Sequence, residues 1–104
     1  MSERRNFLAL KSVFREIEET LKQAREALET YVEDKEDKAQ IRFCLSYLYQ
    51  VHSTLKIVDF PGAITFAAEI ESLAELIANG KAPDQEKGED VLMGAMLRLP
   101  MYLT

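Results

Sequence analysis

Apolar residues recur at steps of three and four through most of the chain, in four segments separated by short polar or Pro/Gly-containing stretches. This spacing places apolar side chains on one side of an α-helix and polar side chains on the other. The first segment, whose apolar positions run from residue 10 to residue 31, predicts a helix of roughly seven turns that extends somewhat beyond them. Its core candidates are Leu10, Val13, Phe14, Ile17, Leu21, Ala24, Leu28 and Tyr31. The all-charged residues 33–38 then predict a solvated connection.

The second segment spans about residues 38–60 and stops there because Pro61 disfavours helix in the residue before it. Its core candidates are Ile41, Cys44, Leu45, Leu48, Val51, Leu55 and Val58. The third segment begins near Pro61 and ends at Asn79-Gly80, where glycine supplies the left-handed residue that commonly closes a helix. Its core candidates are Ala63, Phe66, Ala67, Ile70, Leu73, Ala74 and Ile77.

A fourth helix is predicted between Asp84, which suits the N-cap position, and Pro100, which breaks or kinks the helix. Its core candidates are Val91, Leu92, Ala95, Met96 and Leu99. No segment alternates as a strand does, and no internal repeat is present. Short connections between amphipathic helices favour antiparallel neighbours. The pattern therefore predicts an all-α, antiparallel up-down four-helix bundle, with residues 1–104 as a single domain.

Composition and charge exclude several function classes. The 104 residues carry a formal net charge of −5 with acidic and basic groups interleaved, so we expect no nucleic-acid and no membrane partner. One cysteine, together with the absence of a signal or membrane-spanning pattern, indicates a cytoplasmic protein. One His and one Cys do not supply a metal site. No phosphate loop or catalytic set is present, so we expect no catalytic residues, no cofactor and no intrinsic catalysis.

Residues 51–62 of the second helix carry the groups most suited to chemistry. They include the single histidine, His52, followed by Lys56 and then Gly62. This segment resembles the histidine-phosphotransfer (Hpt) domain family, four-helix bundles whose second helix carries a His-x-Leu-Lys-Gly motif. In that family the histidine accepts a phosphoryl group on a ring nitrogen and passes it to an aspartate of a receiver domain. The resemblance implies that His52 is a phospho-acceptor candidate and that Lys56 neighbours the phosphate.

A narrower resemblance rests on Arg-Phe-Cys-Leu at residues 42–45, Thr54-Leu55, Gly62-Ala63 and the closing Leu-Pro-x-Tyr-Leu of residues 99–103. These stretches are similar to the N-terminal Hpt-like domain of CheA-type hybrid kinases in the type IV pilus (twitching motility) chemosensory system. The resemblance implies that kinase domains and receiver (response regulator) domains of the same system are the partners. The apolar close of the chain indicates an N-terminal fragment of a longer sensor kinase; the alternative is that residues 99–103 cap the open end of the bundle.

The alignment with the motif has two possible registers. The motif places leucine two residues after histidine, whereas Leu55 comes three residues after His52. Aligning Thr54-Leu55-Lys56 with the motif instead puts Ser53 at the phospho-acceptor position and Ile57 at the glycine position. At about 100° per residue, Ser53 lies about 160° from Leu55, near the outermost point of the helix, and His52 only about 60° from it. We therefore interpret His52 as a half-buried packing residue that hydrogen-bonds a neighbour; an accepting His52, after a local change of register, is the alternative.

The same projection puts Tyr49, Ile57 and Phe60 outside the apolar side of the second helix, around Ser53. Three large groups there predict a partner-binding face, unless Phe60 turns under the loop and Tyr49 lies flat on the surface. Serine phosphate is a stable ester and no base stands beside Ser53, so this hydroxyl is a poor carrier. We expect an Hpt-like signalling domain that is degenerate and acts as a binding or positioning module. The alternatives are active phosphotransfer on His52 and a four-helix adaptor unrelated to signalling.

Overall fold

A computed structural model describes residues 2–103, with side-chain surroundings described for residues 8–103. It contains α1 (Ser2–Glu33), α2 (Lys38–Val58), α3 (Pro61–Ala78) and α4 (Gln85–Arg98), followed by a 3₁₀ helix at Leu99–Leu103. No strand occurs within residues 2–103, so the expected all-α class is confirmed. Within the same residues, no helix combines the length and the apolar character needed to cross a bilayer.

The helices pack along one another as a bundle in which neighbours in the chain are antiparallel. Thr30 near the end of α1 and Gln40 near the start of α2 line one groove. Only Asp59 and Phe60 separate α2 from α3, and these two helices pack closely. The backbone of α4 at Gly88 lies against the side chain of Ile77, near the end of α3. α1 contacts both α2 and α4, which closes the bundle around a single core.

Two helix ends form as their residue types predict. The side chain of Asp84 accepts a hydrogen bond of 3.1 Å from the backbone N–H three residues later and caps α4. Gly80 adopts a left-handed φ of 68° after α3. The backbone N–H groups of Gly80 and Lys81 donate to the carbonyls of Ile77 and Leu76 at 3.1 and 2.8 Å. These are the two bonds of a Schellman motif, so the predicted end of the third helix is confirmed.

The end of α2 differs from the prediction in one respect. α2 ends at Val58, because Asp59 adopts a left-handed conformation with φ of 56°. Aspartate tolerates this conformation better than most side chains. Pro61 then occupies the first position of α3, where its missing N–H has no consequence. The left-handed residue turns the chain sharply, and it determines where Phe60 points.

The core contains residues from all four helices and from the 3₁₀ helix, which contributes Leu99 and Leu103. Of the inward positions predicted for α4, Val91 is wrong, because its side chain is 53% exposed. Leu92 and Met96 are fully buried and set the inward direction of α4. Val91 is rotated from Leu92 by about 100°, which turns more than half of its side chain toward solvent.

Candidate functional site

The outer surface of α2 is fixed by the residues that α2 buries. Its buried residues are Ile41, Cys44, Leu48, Val51 and Leu55. They recur at steps of three and four, so all of them project from one side of the helix. Packing of these five side chains sets the rotation of α2 about its own axis. The remaining positions, which include every candidate residue except Phe60, are thereby distributed over the flanks and the solvent side.

His52 lies on the flank of α2 that faces α3 and pairs with Glu71. The distance from Nδ1 of His52 to Oε1 of Glu71 is 2.8 Å, and the two side chains are 16% and 17% exposed. An ionised carboxylate can only accept, so Nδ1 carries the proton and donates to Glu71. In the neutral ring Nε2 then keeps its lone pair. His52 is thus partly buried and hydrogen-bonded to a neighbour, in agreement with its interpretation from the sequence.

Ser53 is partly buried, which corrects its expected position at the exposed outermost point of the helix. Its short side chain lies one turn from Tyr49 and one turn from Ile57, at i−4 and i+4, and these larger groups flank it. Lys56 is exposed four residues after His52, one turn further along the same flank. The structure therefore places Lys56 on the His52 side of the helix and Ser53 between two large neighbours.

Two of the three residues expected on the partner-binding face are exposed. The exposed fractions are 63% for Tyr49 and 84% for Ile57. Phe60 is a correction, because it is partly buried and its ring meets Phe14 of α1 edge-on, with centroids 5.2 Å apart. Helical projection fails for Phe60 because the left-handed Asp59 ends the helix before it. We refer to Tyr49, Ser53 and Ile57 as the outer α2 face.

Sequence reasoning missed Glu71 and Glu89. Helical periodicity orients each helix separately, but it does not show which residue of α3 stands opposite His52. The burial of Glu89, in contrast, could have been predicted from its position on the helix. It stands three residues before Leu92 and seven before Met96, on the side of α4 that the core occupies. A carboxylate at a core position requires a partner, and this requirement could have been recognised from the sequence.

The partner of Glu89 is Lys35, from the charged link between α1 and α2. Lys35 Nζ lies 2.8 Å from Glu89 Oε1, and the side chains are 40% and 5% exposed respectively. The hydrogen bond to Glu89 raises the pKa of Lys35 above its ordinary value, so the ammonium stays charged. The link was expected to be wholly solvated, but Lys35 joins it to α4. Glu89 Oε2 is buried and has no hydrogen-bond partner.

The remaining reactive group is the thiol of Cys44, in the core. Burial raises its pKa to about 12, so the thiolate is absent at neutral pH and the residue is a packing group. Across residues 2–103 no three His, Cys, Asp or Glu side chains come together in an arrangement that could hold a metal ion. The chemistry that the described residues offer is therefore that of the His52–Glu71 pair and of the exposed surfaces.

The family model of the FimL C-terminal domain matches residues 7–104, which include the candidate residues on α2 and Glu71, the partner of His52 on α3. No curated protein and no solved structure matches the chain. Because the family model spans nearly the whole sequence, the chain belongs to the FimL C-terminal domain family.

Proposed function

We propose that this chain is a protein-binding module of a pilus-associated signalling system and that it binds through the outer α2 face. Membership of the FimL C-terminal domain family supports the pilus-associated role. The observation that carries the proposal is the exposure of Tyr49 and Ile57, at 63% and 84%, on the solvent side of a helix whose rotation is fixed by the core. Such large side chains are the usual anchors of a protein interface.

The rigidity of α2 favours binding. Val51 and Leu55 lie between Tyr49 and Ile57 in the sequence and are buried at 1% and 0% exposure. The two anchors are therefore held on an ordered helix before a partner arrives, which reduces the entropy lost on association. Tyr49 and Ile57 are separated by two helical turns, a spacing that a helix or a shallow groove of a partner can cover.

The finer part of the proposal concerns the partners, for which the support is the sequence resemblance to Hpt domains. Kinase and receiver domains of the same signalling system are the expected partners, because Hpt domains bind such partners beside the histidine. The module binds them without accepting phosphate. His52 is mostly covered and held by Glu71, and the large Ile57 projects where one register of the motif has glycine. The chain is in this sense a degenerate Hpt-like domain.

The proposal is tested by measuring partner binding after the outer α2 face has been made acidic. Tyr49→Glu combined with Ile57→Glu should weaken binding of the cognate kinase or receiver domain by about 100-fold, since burying an unpaired carboxylate at each anchor is costly. Isothermal titration calorimetry measures the affinity, and circular dichroism checks that helical content and melting temperature are retained. Both side chains are exposed, so the variant should fold normally.

The matched control changes two exposed apolar residues that lie outside the outer α2 face. Phe43 and Leu97 are exposed at 51% and 54%, comparable to Tyr49, and they lie on α2 and α4 away from the outer α2 face. Phe43→Glu combined with Leu97→Glu adds the same charge and should leave affinity within about twofold of the wild type. Equal losses in both double variants, or undiminished binding by Tyr49→Glu/Ile57→Glu, would reject the outer α2 face.

A second function, phosphotransfer on His52, is favoured by one specific observation. Glu71 Oε1 holds Nδ1 of His52 at 2.8 Å, so Nε2 is the ring nitrogen that can act as nucleophile. A kinase domain would transfer the γ-phosphoryl group of ATP to Nε2 with release of ADP, and the exposed Lys56 could neutralise part of the added charge. This function requires a partner to reach the 16% of the His52 side chain that is exposed.

The two functions are separated by a phosphorylation assay with a cognate kinase domain and labelled ATP. Binding without phosphotransfer predicts no label on the chain. An acid-labile, base-stable label that is retained in Ser53→Ala and lost in His52→Gln would establish the second function and reject the degenerate assignment. An acid-stable label that is lost only in Ser53→Ala would place the phosphoryl group on Ser53. That result would reject both binding without phosphotransfer and phosphotransfer on His52.

A further inference from the structure

A second surface lies between the last turns of α1 and the first turns of α4, on a different side of the bundle from the outer α2 face. It is a groove of about 600 Å³, called here the α1–α4 groove. Its rim carries four exposed carboxylates, Glu29, Glu33, Glu86 and Asp90. Apolar side chains also line it, from Leu28, Val32 and Met93. Lys35 supplies the one cationic group of the lining.

Glu89, also in the lining of this groove, is incompletely satisfied. Its residue exposure is 4%, and Oε2 has no hydrogen-bond partner although Oε1 is held by Lys35. A buried carboxylate oxygen without a donor is unfavourable, so a donor that reaches it gains more than one that binds at the surface. Lys35 is 40% exposed and bonds Oε1, so its ion pair can remain while a further donor approaches Oε2.

We propose that the α1–α4 groove binds a basic, amphipathic segment of another protein. One arginine or lysine of that segment reaches Glu89, and its apolar side chains lie against Leu28, Val32 and Met93. Charge complementarity argues for a basic occupant, because the groove holds five carboxylates and one ammonium. An arginine suits Glu89 best, since a guanidinium has several donors in a planar fork and can satisfy Oε2 while Lys35 keeps Oε1.

The experiment uses a fluorescent helical peptide with arginine on one face and leucine on the other, titrated with the whole chain and followed by fluorescence anisotropy. We expect saturable binding that weakens with salt. Glu86→Lys combined with Asp90→Lys should weaken it about tenfold or more, because two attractive charges become repulsive. Glu89→Gln should weaken peptide binding several-fold, although it leaves the four carboxylates of the rim unchanged. Circular dichroism verifies the fold of each variant, and the rim residues are exposed, so the double variant should fold.

The matched control is Glu18→Lys combined with Glu69→Lys, which changes net charge equally at exposed positions outside the groove. It should change affinity less than about twofold. A peptide of the same composition, rearranged so that arginine and leucine are not segregated, should bind clearly more weakly. Equal weakening by the two double variants would show general charge attraction and overturn the proposal. An absence of saturable binding, or no effect of Glu86→Lys/Asp90→Lys, would overturn it as well.

Discussion

Burial of single polar groups decides which residues can react. His52 of α2 and Glu71 of α3 form a hydrogen bond with each other. Cys44 instead lies in the apolar core, where its ionised form is disfavoured. Burial raises the pKa of Cys44 to about 12 from an ordinary 9.0. The thiol therefore remains protonated in the folded chain over a range in which it ionises in the unfolded chain.

This difference predicts a pH dependence of stability. The stabilising contribution of Cys44 is complete below pH 9.0 and is lost as the pH rises toward about 12, because the unfolded chain releases the proton first. In that interval the free energy of unfolding should fall by roughly 1 kcal/mol per pH unit from this group. Urea unfolding at several pH values measures the slope. Cys44→Ala should show a shallower slope, and identical slopes would contradict the assignment.

At the scale of single elements, the rotation of α2 about its axis determines the whole site. Leu55 is 0% exposed and Ile57, two residues later, is 84% exposed. Leu55→Ala should lower the free energy of unfolding by about 2–5 kcal/mol because it opens a cavity in the core. Ile57→Ala is the matched control and should change it by less than about 0.5 kcal/mol. Urea unfolding of both variants measures these changes. Similar losses of unfolding free energy in the two variants would contradict this rotation of α2.

The end of α3 supplies a second test at this scale. Gly80 has a left-handed φ of 68°, whereas Gly62, in the first turn of α3, has no such φ, and an added Cβ would meet nothing within 4 Å at either position. Gly80→Ala should therefore destabilise the chain by about 1 kcal/mol through backbone strain alone. Gly62→Ala should be neutral or slightly stabilising, because alanine favours helix. Thermal unfolding distinguishes the two, and a neutral Gly80→Ala would argue against the Schellman end.

The structure also shows what the sequence could and could not predict. The helical repeat identified the buried side of α2, and residue type identified Asp84 and Gly80 as helix ends. The repeat could not predict the pairing of His52 with Glu71, because the register between two helices depends on their relative translation. It misplaced Phe60, because the left-handed Asp59 replaces helical geometry at that point. The exposure of Ser53 was overestimated because it was predicted from the angle on the helix alone, without the size of the flanking side chains.

At the scale of the whole molecule, two surfaces on different helices are available at once. The molecule is elongated, with extents of 52 × 20 × 18 Å, and within the described residues α2 and α4 do not pack directly against each other. The outer α2 face and the α1–α4 groove share no residue. Their chemistry also differs, since the outer α2 face has no charged side chain and the α1–α4 groove has five carboxylates. The two proposed binding surfaces therefore predict that the chain holds two partners at the same time.

The central claim is that the outer α2 face contacts the signalling partner, and NMR mapping of the bound surface tests it most directly. The isotope-labelled chain is titrated with the cognate kinase or receiver domain, and backbone amide shifts are followed for residues 2–103. The account predicts that the largest changes cluster between residues 49 and 57 of α2 and on the adjoining surface of α3. Changes confined to α1 and α4, with α2 unaffected at saturation, would contradict it.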